Sequence, residues 1–473
     1  MRRTQDSDFI ALSVPFAERW IIFMEQQNKL QRNMGLVKAV AMLTGNVVGA
    51  SVFIIPGQLA STIGSAVWLS YIIGAILISF TCFIFAQVGS ILPVAGSIYR
   101  LCSVTVNGFW GFIYILVFTL SSIFLFPIMS KTAANYIAAI FPGTNVVLVA
   151  LVIIVITGVI NLFGSNFSAI VQAVLTVLLV AVVLIFSGGG IVNANWENFS
   201  PMFPSGITPI IIGAISTYYA FAGFNNVIEL SGEIKNPRKN IMRMVFLSFA
   251  IIIVMYLGMC VGLVGLAHPS ELGVDAPAVF AGSRIFPSWF SLFISLAAFA
   301  ASWTTLNGVM AAMSRQFYAL GRSGVFPAVV SKLSKRGTPV IAVSVVTIIG
   351  IIINLFSATV MRFVNVSSLY LLATALVVAV SSLKIKEKLK QQYDQAEYKL
   401  KGAWYYIWPI LTIASSIVFM VLAIREDLKM SLISIVLVPV GLLLYLWRKK
   451  RYESHGVSLD ESIQKSMYED ASS

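Results

Sequence analysis

From Gly35 onward the chain alternates long apolar runs with short polar breaks. Between Ala39 and Trp196 only Arg100 and Lys131 carry charge, and between Asn198 and Ile228 nothing does. A bilayer-spanning helix needs about 20 apolar residues. In hydrocarbon only helices or closed barrels satisfy their own peptide groups, and the period-two alternation of an outer-membrane barrel is missing. The pattern predicts helices over 36–62, 66–92, 107–136, 145–164, 167–189, 207–232, 240–267, 289–320, 339–358, 361–383, 404–424 and 430–448. The expected fold is an all-α integral membrane protein of about twelve transmembrane helices. An even number puts both chain ends on one side.

Composition agrees with the pattern. The chain is 58% hydrophobic and 11% charged, against about 25% charged in soluble domains. Its net charge of +13 invites a nucleic-acid partner, but the basic residues sit in short loops between apolar runs, where they report topology. They cluster at Lys235, Arg238, Lys239 and Arg243, at Arg315 to Arg336, at Lys384 to Lys401 and at Arg448 to Arg451. With a cytoplasmic N-terminus, the outer side holds only Lys131, Arg284, Arg362, Arg425 and Lys429, five of the 32 Lys and Arg. The expected setting is a bacterial cytoplasmic membrane, with tails 1–34 and 451–473 inside and the basic loops against lipid headgroups. Three cysteines within or beside apolar runs suggest no disulfide framework, and His268 and His455 lie outside the spans, so neither metal nor cofactor is expected. No nucleophile–base pair or acid cluster suggests an enzyme.

Two apolar runs are interrupted. One reads Gly45-Asn46-Val47-Val48-Gly49-Ala50-Ser51-Val52-Phe53, then Pro56-Gly57. The other reads Tyr218-Tyr219-Ala220-Phe221-Ala222-Gly223-Phe224-Asn225-Asn226, then Glu229 and Glu233. Glycine costs up to about 1 kcal/mol in a helix interior. Two readings are open. Small residues such as Gly45 and Gly49 let helices pack closely. Alternatively, both helices are discontinuous at mid-membrane. A break frees amides at one half-helix N-terminus, which attract a carboxylate, and carbonyls at the other end, which accept from an ammonium. A zwitterion fits such a site without a charged side chain. The runs belong to the first and sixth helices, the spacing of a five-plus-five inverted repeat whose broken helices mark a transporter's site. The repeats would be 35–190 and 207–383, followed by two further helices over 404–450.

Four segments in order resemble the amino acid–polyamine–organocation (APC) superfamily. Gly45 to Pro56 is similar to its Gly-x-x-x-Gly-[Ser/Ala]-Gly-[Ile/Val]-Phe-x-x-Pro pattern. Pro93 to Tyr99 resembles its turn after the second helix, Tyr219 to Arg238 its sixth helix and following loop, and Ser314 to Pro327 the end of its eighth helix. The resemblance spans roughly Gly35 to Arg451. It implies a secondary transporter working by alternating access between the first, third, sixth, eighth and tenth helices. By that likeness Val48, Gly49, Ala50, Ser51 and Val52 meet a substrate carboxylate through backbone amides. Carbonyls near Asn46 and at Tyr219, Ala220 and Ala222 take the amino group. Tyr219 stands where relatives place an aromatic gate, and Asn225 where some exchangers of basic amino acids carry glutamate. The chain departs from the pattern at Ser51, the family's third glycine, whose side chain intrudes on the expected approach, and at Gly96-Ser97. Its fifth helix has no ionisable residue, Leu179 standing near a lysine that some relatives use in place of a coupling cation.

Coupling candidates are few. Glu229 is an acid well inside a predicted span, functional by default at such depth, yet Lys235 or Arg238 stands near enough for a structural ion pair. Ser302 and Thr305, with Thr304, put hydroxyls where sodium would find oxygen ligands; the alternative is bonding back to the preceding turn. Asn161, Trp303 and Asn307 read as interhelical hydrogen bonds. The partners expected are an amino acid, membrane lipid and a coupling proton or sodium ion. The leading function is a permease or exchanger of neutral amino acids. A polyamine or cationic amino acid antiporter is the alternative, and a channel the less favoured class, since no filter or ring of pore charges is seen.

Overall fold

The computed structural model describes residues 34–92, 97–162, 169–224, 234–322, 325–334, 338–356, 358–396 and 398–454. Its main helices are α1 (Leu36–Val48), α2 (Ser51–Ile63), α3 (Val67–Ile91), α4 (Gly108–Ile140), α5 (Val146–Leu162), α6 (Ala169–Val192), α7 (Thr208–Ala220), α8 (Pro237–Leu266), α9 (Ser288–Arg322), α10 (Val340–Asn354), α11 (Val360–Ser382), α12 (Trp404–Glu426), α13 (Leu428–Ile435) and α14 (Leu437–Glu453). Each apolar run expected to be helical holds a helix. Eight helices among the described residues are long and apolar enough to cross a bilayer, nine when the bent pair α1–α2 counts as one span. No strand occurs among the described residues; a single parallel bridge joins Met34 to Ile234 and ties the entry of α1 to that of α8.

The helices pack in two groups. In one, α8 lies along α1, α2, α3 and α6, while α7 packs on α2 and α3. In the other, α4, α5, α9 and α10 pack on one another. α6 also touches α9, and α11 bridges α4 and α7. Lipid gives apolar side chains no reason to leave it, so close contact must come from shape and small residues. Gly45 shows this: a Cβ there would lie 2.4 Å from Thr176 Oγ1 on α6. Gly190 of α6 similarly meets Gly262 of α8, where an added Cβ would be 2.7 Å from Cα.

Polar residues inside the bundle are partnered mainly by backbone. Lys131 is buried within α4, where its ammonium donates to the carbonyls of Phe356 and Ala358 at 3.2 and 3.0 Å and stands 4.9 Å from the Phe363 ring. It therefore clamps the α10–α11 connection. The α8–α9 connection is held differently. Arg284 donates to Glu271 at 2.7 Å and to Leu266 O at 3.0 Å, and Glu271 accepts from the His268 amide. Pro277 of this connection fits against Gly57 of α2, where a Cβ would be 2.3 Å away.

Gly45→Ala should lower thermal stability of the detergent-purified protein by roughly 1–3 kcal/mol, the usual cost of overpacking, and Thr176→Ala should recover part of the loss by making room. The Arg284 hydrogen bond holds the Glu271 carboxyl below its ordinary value of 4.5. A depressed folded pKa gives stability that is present above the ordinary carboxylate range and lost as pH falls through the folded value. Melting curves of wild type and Glu271→Gln should therefore differ near neutrality and converge in acid.

Candidate functional site

Two helix ends meet at the heart of the first packing group. α1 stops at Val48. Gly49 has φ +42° and ψ −146°, a conformation few L side chains adopt, and its amide closes the last turn on Gly45 O at 3.2 Å. α2 restarts at Ser51 on an axis bent by 40°. Gly45 and Gly49 thus do different work: the first seats α6, and the second lets the helix break. Val48, Gly49, Ala50, Ser51 and Val52 are all buried at this break, and Asn46, one turn earlier, is half-buried. The first amides of α2 have no acceptor within their own helix, and the last carbonyls of α1 no donor. The first break thus offers both signs of partial charge within a few residues.

The second end belongs to α7. After Ala220 the chain leaves the helix in a turn over 221–224, in which the Ala222 amide donates to Tyr219 O at 2.8 Å. Gly223 has φ +113°, and a Cβ on it would lie 3.2 Å from Asn46 O and 3.3 Å from Val47 Cα. Only a residue without a side chain lets the two backbones touch this closely. The carbonyl side of the first break therefore abuts the turn of the second. Tyr219, Ala220 and Ala222 stand beside it, Tyr219 and Ala220 buried. Asn225 and Glu229 lie outside the described residues, as does Glu233.

Tyr256, in the middle of α8, joins the two ends. Its hydroxyl donates to Ala220 O at 2.6 Å, lies 2.9 Å from Ser51 Oγ and reaches Val48 O at 3.5 Å; Ser51 Oγ donates to Val48 O at 2.9 Å. The ring is wedged between Tyr71, stacked at 4.9 Å, and the edge of Phe221 at 5.2 Å. The hydroxyl that sequence reading saw intruding at Ser51 is turned onto Tyr256 and its own helix end. Tyr256 itself was not anticipated. The available signal was a phenol deep in an apolar run, which must find a partner when buried.

The second packing group reaches the site through α9 and α4. A Cβ on Gly49 would meet Thr305 Oγ1 at 3.6 Å, so Thr305 faces the first break. Its hydroxyl donates to Ala301 O at 2.9 Å, and that of Ser302 to Ala298 O at 2.7 Å. Both bond back to the preceding turn, which leaves their oxygen lone pairs as the groups they could offer a cation. From α4, Tyr136 donates to Phe53 O of α2 at 3.0 Å. Asn161 donates to Asn307 at 2.8 Å and Trp303 to Thr157 at 3.1 Å, linking α5 to α9. An apolar groove of about 280 Å³ between α6 and α9, lined by Leu178, Val182, Phe286, Trp289, Phe290 and Phe293, lies apart from both breaks and offers nothing to a zwitterion.

Comparison with known proteins follows the same lines. The model of the amino acid permease family matches residues 34–439. The branched-chain amino acid permease BcaP of Lactococcus lactis subsp. cremoris (strain MG1363) is 28% identical, over 67% of this chain and 74% of its own. The methylthioribose transporter of Bacillus subtilis (strain 168) is 24% identical, over 65% and 71%. The chloroplastic cationic amino acid transporter 9 of Arabidopsis thaliana is 25% identical, over 65% and 58%. With helices of membrane-crossing length and a family match over most of its length, the chain belongs to the amino acid permease family of the APC superfamily, and is a multi-pass membrane transporter.

Proposed function

We propose that the two abutting helix ends hold the backbone of an α-amino acid whose side chain is uncharged. The carrying observation is the contact of Gly223 with Asn46 O and Val47 Cα, which brings the turn after α7 against the carbonyl end of α1, directly before the amides that open α2. The carboxylate would lie on the amides of Ala50, Ser51 and Val52, with Gly49, whose own amide closes α1 on Gly45 O, carrying the bend beside them. The ammonium would find carbonyl lone pairs at Asn46, Tyr219, Ala220 and Ala222, with Val48 beside them and Asn225 further along the chain. The first break lies in uncharged chain from Ala39 to Tyr99, and the second in uncharged chain from Asn198 to Ile228. That favours a neutral cargo. The named cationic amino acid transporter among the relatives supports a second reading, cationic amino acid or polyamine exchange, with Glu229 facing the cargo.

Transport on this reading is alternating access, in which the first packing group moves against the second about the breaks. Twelve spans, two inverted repeats over 35–190 and 207–383 and a C-terminal pair over 404–450 would follow. Both termini would be cytoplasmic, given the side that holds most of the basic residues. Coupling would fall to a proton at Glu229, or to sodium at Ser302 and Thr305, a reading supported by Thr305 facing Gly49.

In proteoliposomes, radiolabelled L-valine should show saturable uptake and counterflow, and a tenfold excess of N-acetyl-valine or valinamide should fail to compete because each has lost one end of the zwitterion. Non-saturable flux without counterflow would reject the carrier. Selective uptake of L-arginine would favour the second reading. The coupling ion is separable in the same vesicles. Proton coupling predicts that Glu229→Gln retains exchange but loses the pH dependence of net uptake. Sodium coupling predicts that replacing external sodium with choline abolishes uptake, with Thr305→Ala reducing it.

A further inference from the structure

The Tyr256 hydroxyl touches three separate pieces of helix at one point: the end of α1 at Val48 O, the start of α2 at Ser51 Oγ and the end of α7 at Ala220 O. These pieces meet where the axis bends by 40° and where Gly49, at φ +42°, carries the bend. We propose that Tyr256 is a positioning residue that acts as the pivot of the broken helix, with Ser51 as its partner. The proposal rests on the reading of the breaks as the moving parts of the carrier.

The chemistry of the junction suits a pivot better than a rigid weld. Val48 O and Ala220 O are helix-end carbonyls in a dry interior, and leaving either unpaired is costly. Three oxygen–oxygen contacts of 2.6 to 2.9 Å share the protons of only two hydroxyls. One arrangement has Tyr256 donating to Ala220 O and Ser51 to Val48 O. In another, Tyr256 keeps Ala220 O and Ser51 donates to Tyr256. With Val48 O already 3.5 Å from the phenol, Tyr256 can also turn to that carbonyl. Hydroxyl rotation alone moves the junction between these arrangements, so the half-helices can change angle while most of the acceptors stay paired. The phenol itself is held in place. It is wholly buried, with Tyr71 on one side and Phe221 on the other. A fixed ring carrying a rotatable hydroxyl has the properties of a pin. The residue at 51 gains a use by the same argument, since glycine there would offer Tyr256 no hydroxyl.

Double electron–electron resonance on the full chain in nanodiscs tests this without a substrate. Spin labels at Val37→Cys on α1 and Lys390→Cys, both exposed, report the angle of α1 against the body; the native cysteines at 82, 102 and 260 are buried. A swing of roughly 15° moves the far end of a 13-residue half-helix, about 20 Å long, by about 5 Å. Tyr256→Phe keeps the ring and removes the pin, so its distance distribution should broaden or shift by about that amount. Ser51→Ala should do the same to a smaller extent, and the double variant should add less than the sum of the two, as expected of groups in one network. In vesicles that exchange L-valine, maximal exchange by Tyr256→Phe should fall about tenfold or more, while its equilibrium affinity changes less than about threefold, the split expected of a defect in movement rather than in binding. Distance distributions that superimpose on wild type in both single variants overturn the proposal. If Tyr256→Phe does not fold, Ser51→Ala alone decides it. Wild-type vesicles that exchange no amino acid would count against the substrate reading and leave the distance measurement standing.

Discussion

A helix in hydrocarbon is obliged to bond every peptide group it has, and a helix that breaks there releases groups that water cannot rescue. This constraint organises the middle of the molecule. At Val48 the carbonyls of α1 run out of donors, and at Ser51 the amides of α2 run out of acceptors. The carbonyl side is covered by Ser51, by Tyr256 and by the turn at Gly223. On the proposed reading the amide side takes the negative end of the ligand. The asymmetry gives the site a direction before any side chain is considered.

The same economy of bonding recurs throughout the bundle. Hydroxyls on α9 return to the turn before them, at Ser302, Thr304 and Thr305, which lets polar residues sit at membrane depth without an external partner. Where a group cannot satisfy itself, it joins elements distant in sequence. Lys131 holds the α10–α11 connection to α4, and Asn161 holds α5 to α9. Glycines supply the matching recesses, so that shape and polar contacts replace the hydrophobic driving force that lipid removes. The two packing groups are each held internally by such contacts. Among the described residues they meet near the breaks at few polar points, Tyr136 with Phe53 O being one.

What the sequence revealed follows from which properties are local. Apolar run length located the helices of membrane-crossing length, because membrane thickness leaves no other option, but not short ones such as Ser97–Thr105 between the runs. Gly49 was legible as a breaking point, since glycine in mid-span is costly without a purpose, though spacing alone could not separate it from Gly45, which serves packing. That distinction depends on Thr176 of α6, more than a hundred residues away. Ser51 was visible as a side chain in an unexpected place, and its use was not, because the partner lies 205 positions along the chain. Tyr256 was hidden for the complementary reason. In the run Met255-Tyr256-Leu257-Gly258 it has the character of any interfacial or packing aromatic, and only the convergence of α1, α2 and α7 on its hydroxyl sets it apart. Lys131 read as a topology marker and proved to be a buried clamp, since charge counting is blind to depth.

Tyr256 also bears on how a site made of backbone can be selective. Peptide groups are the same in every protein, so on the proposed reading a site that holds both ends of its ligand through helix termini must draw its selectivity from something beside them. The available variable is which carbonyls are already spoken for. Here the phenol takes one lone pair of Ala220 O from the side of α8, and Ser51 takes one of Val48 O. On the proposed reading, an ammonium at the same helix ends would meet what remains, and its position would be set by donors it never touches.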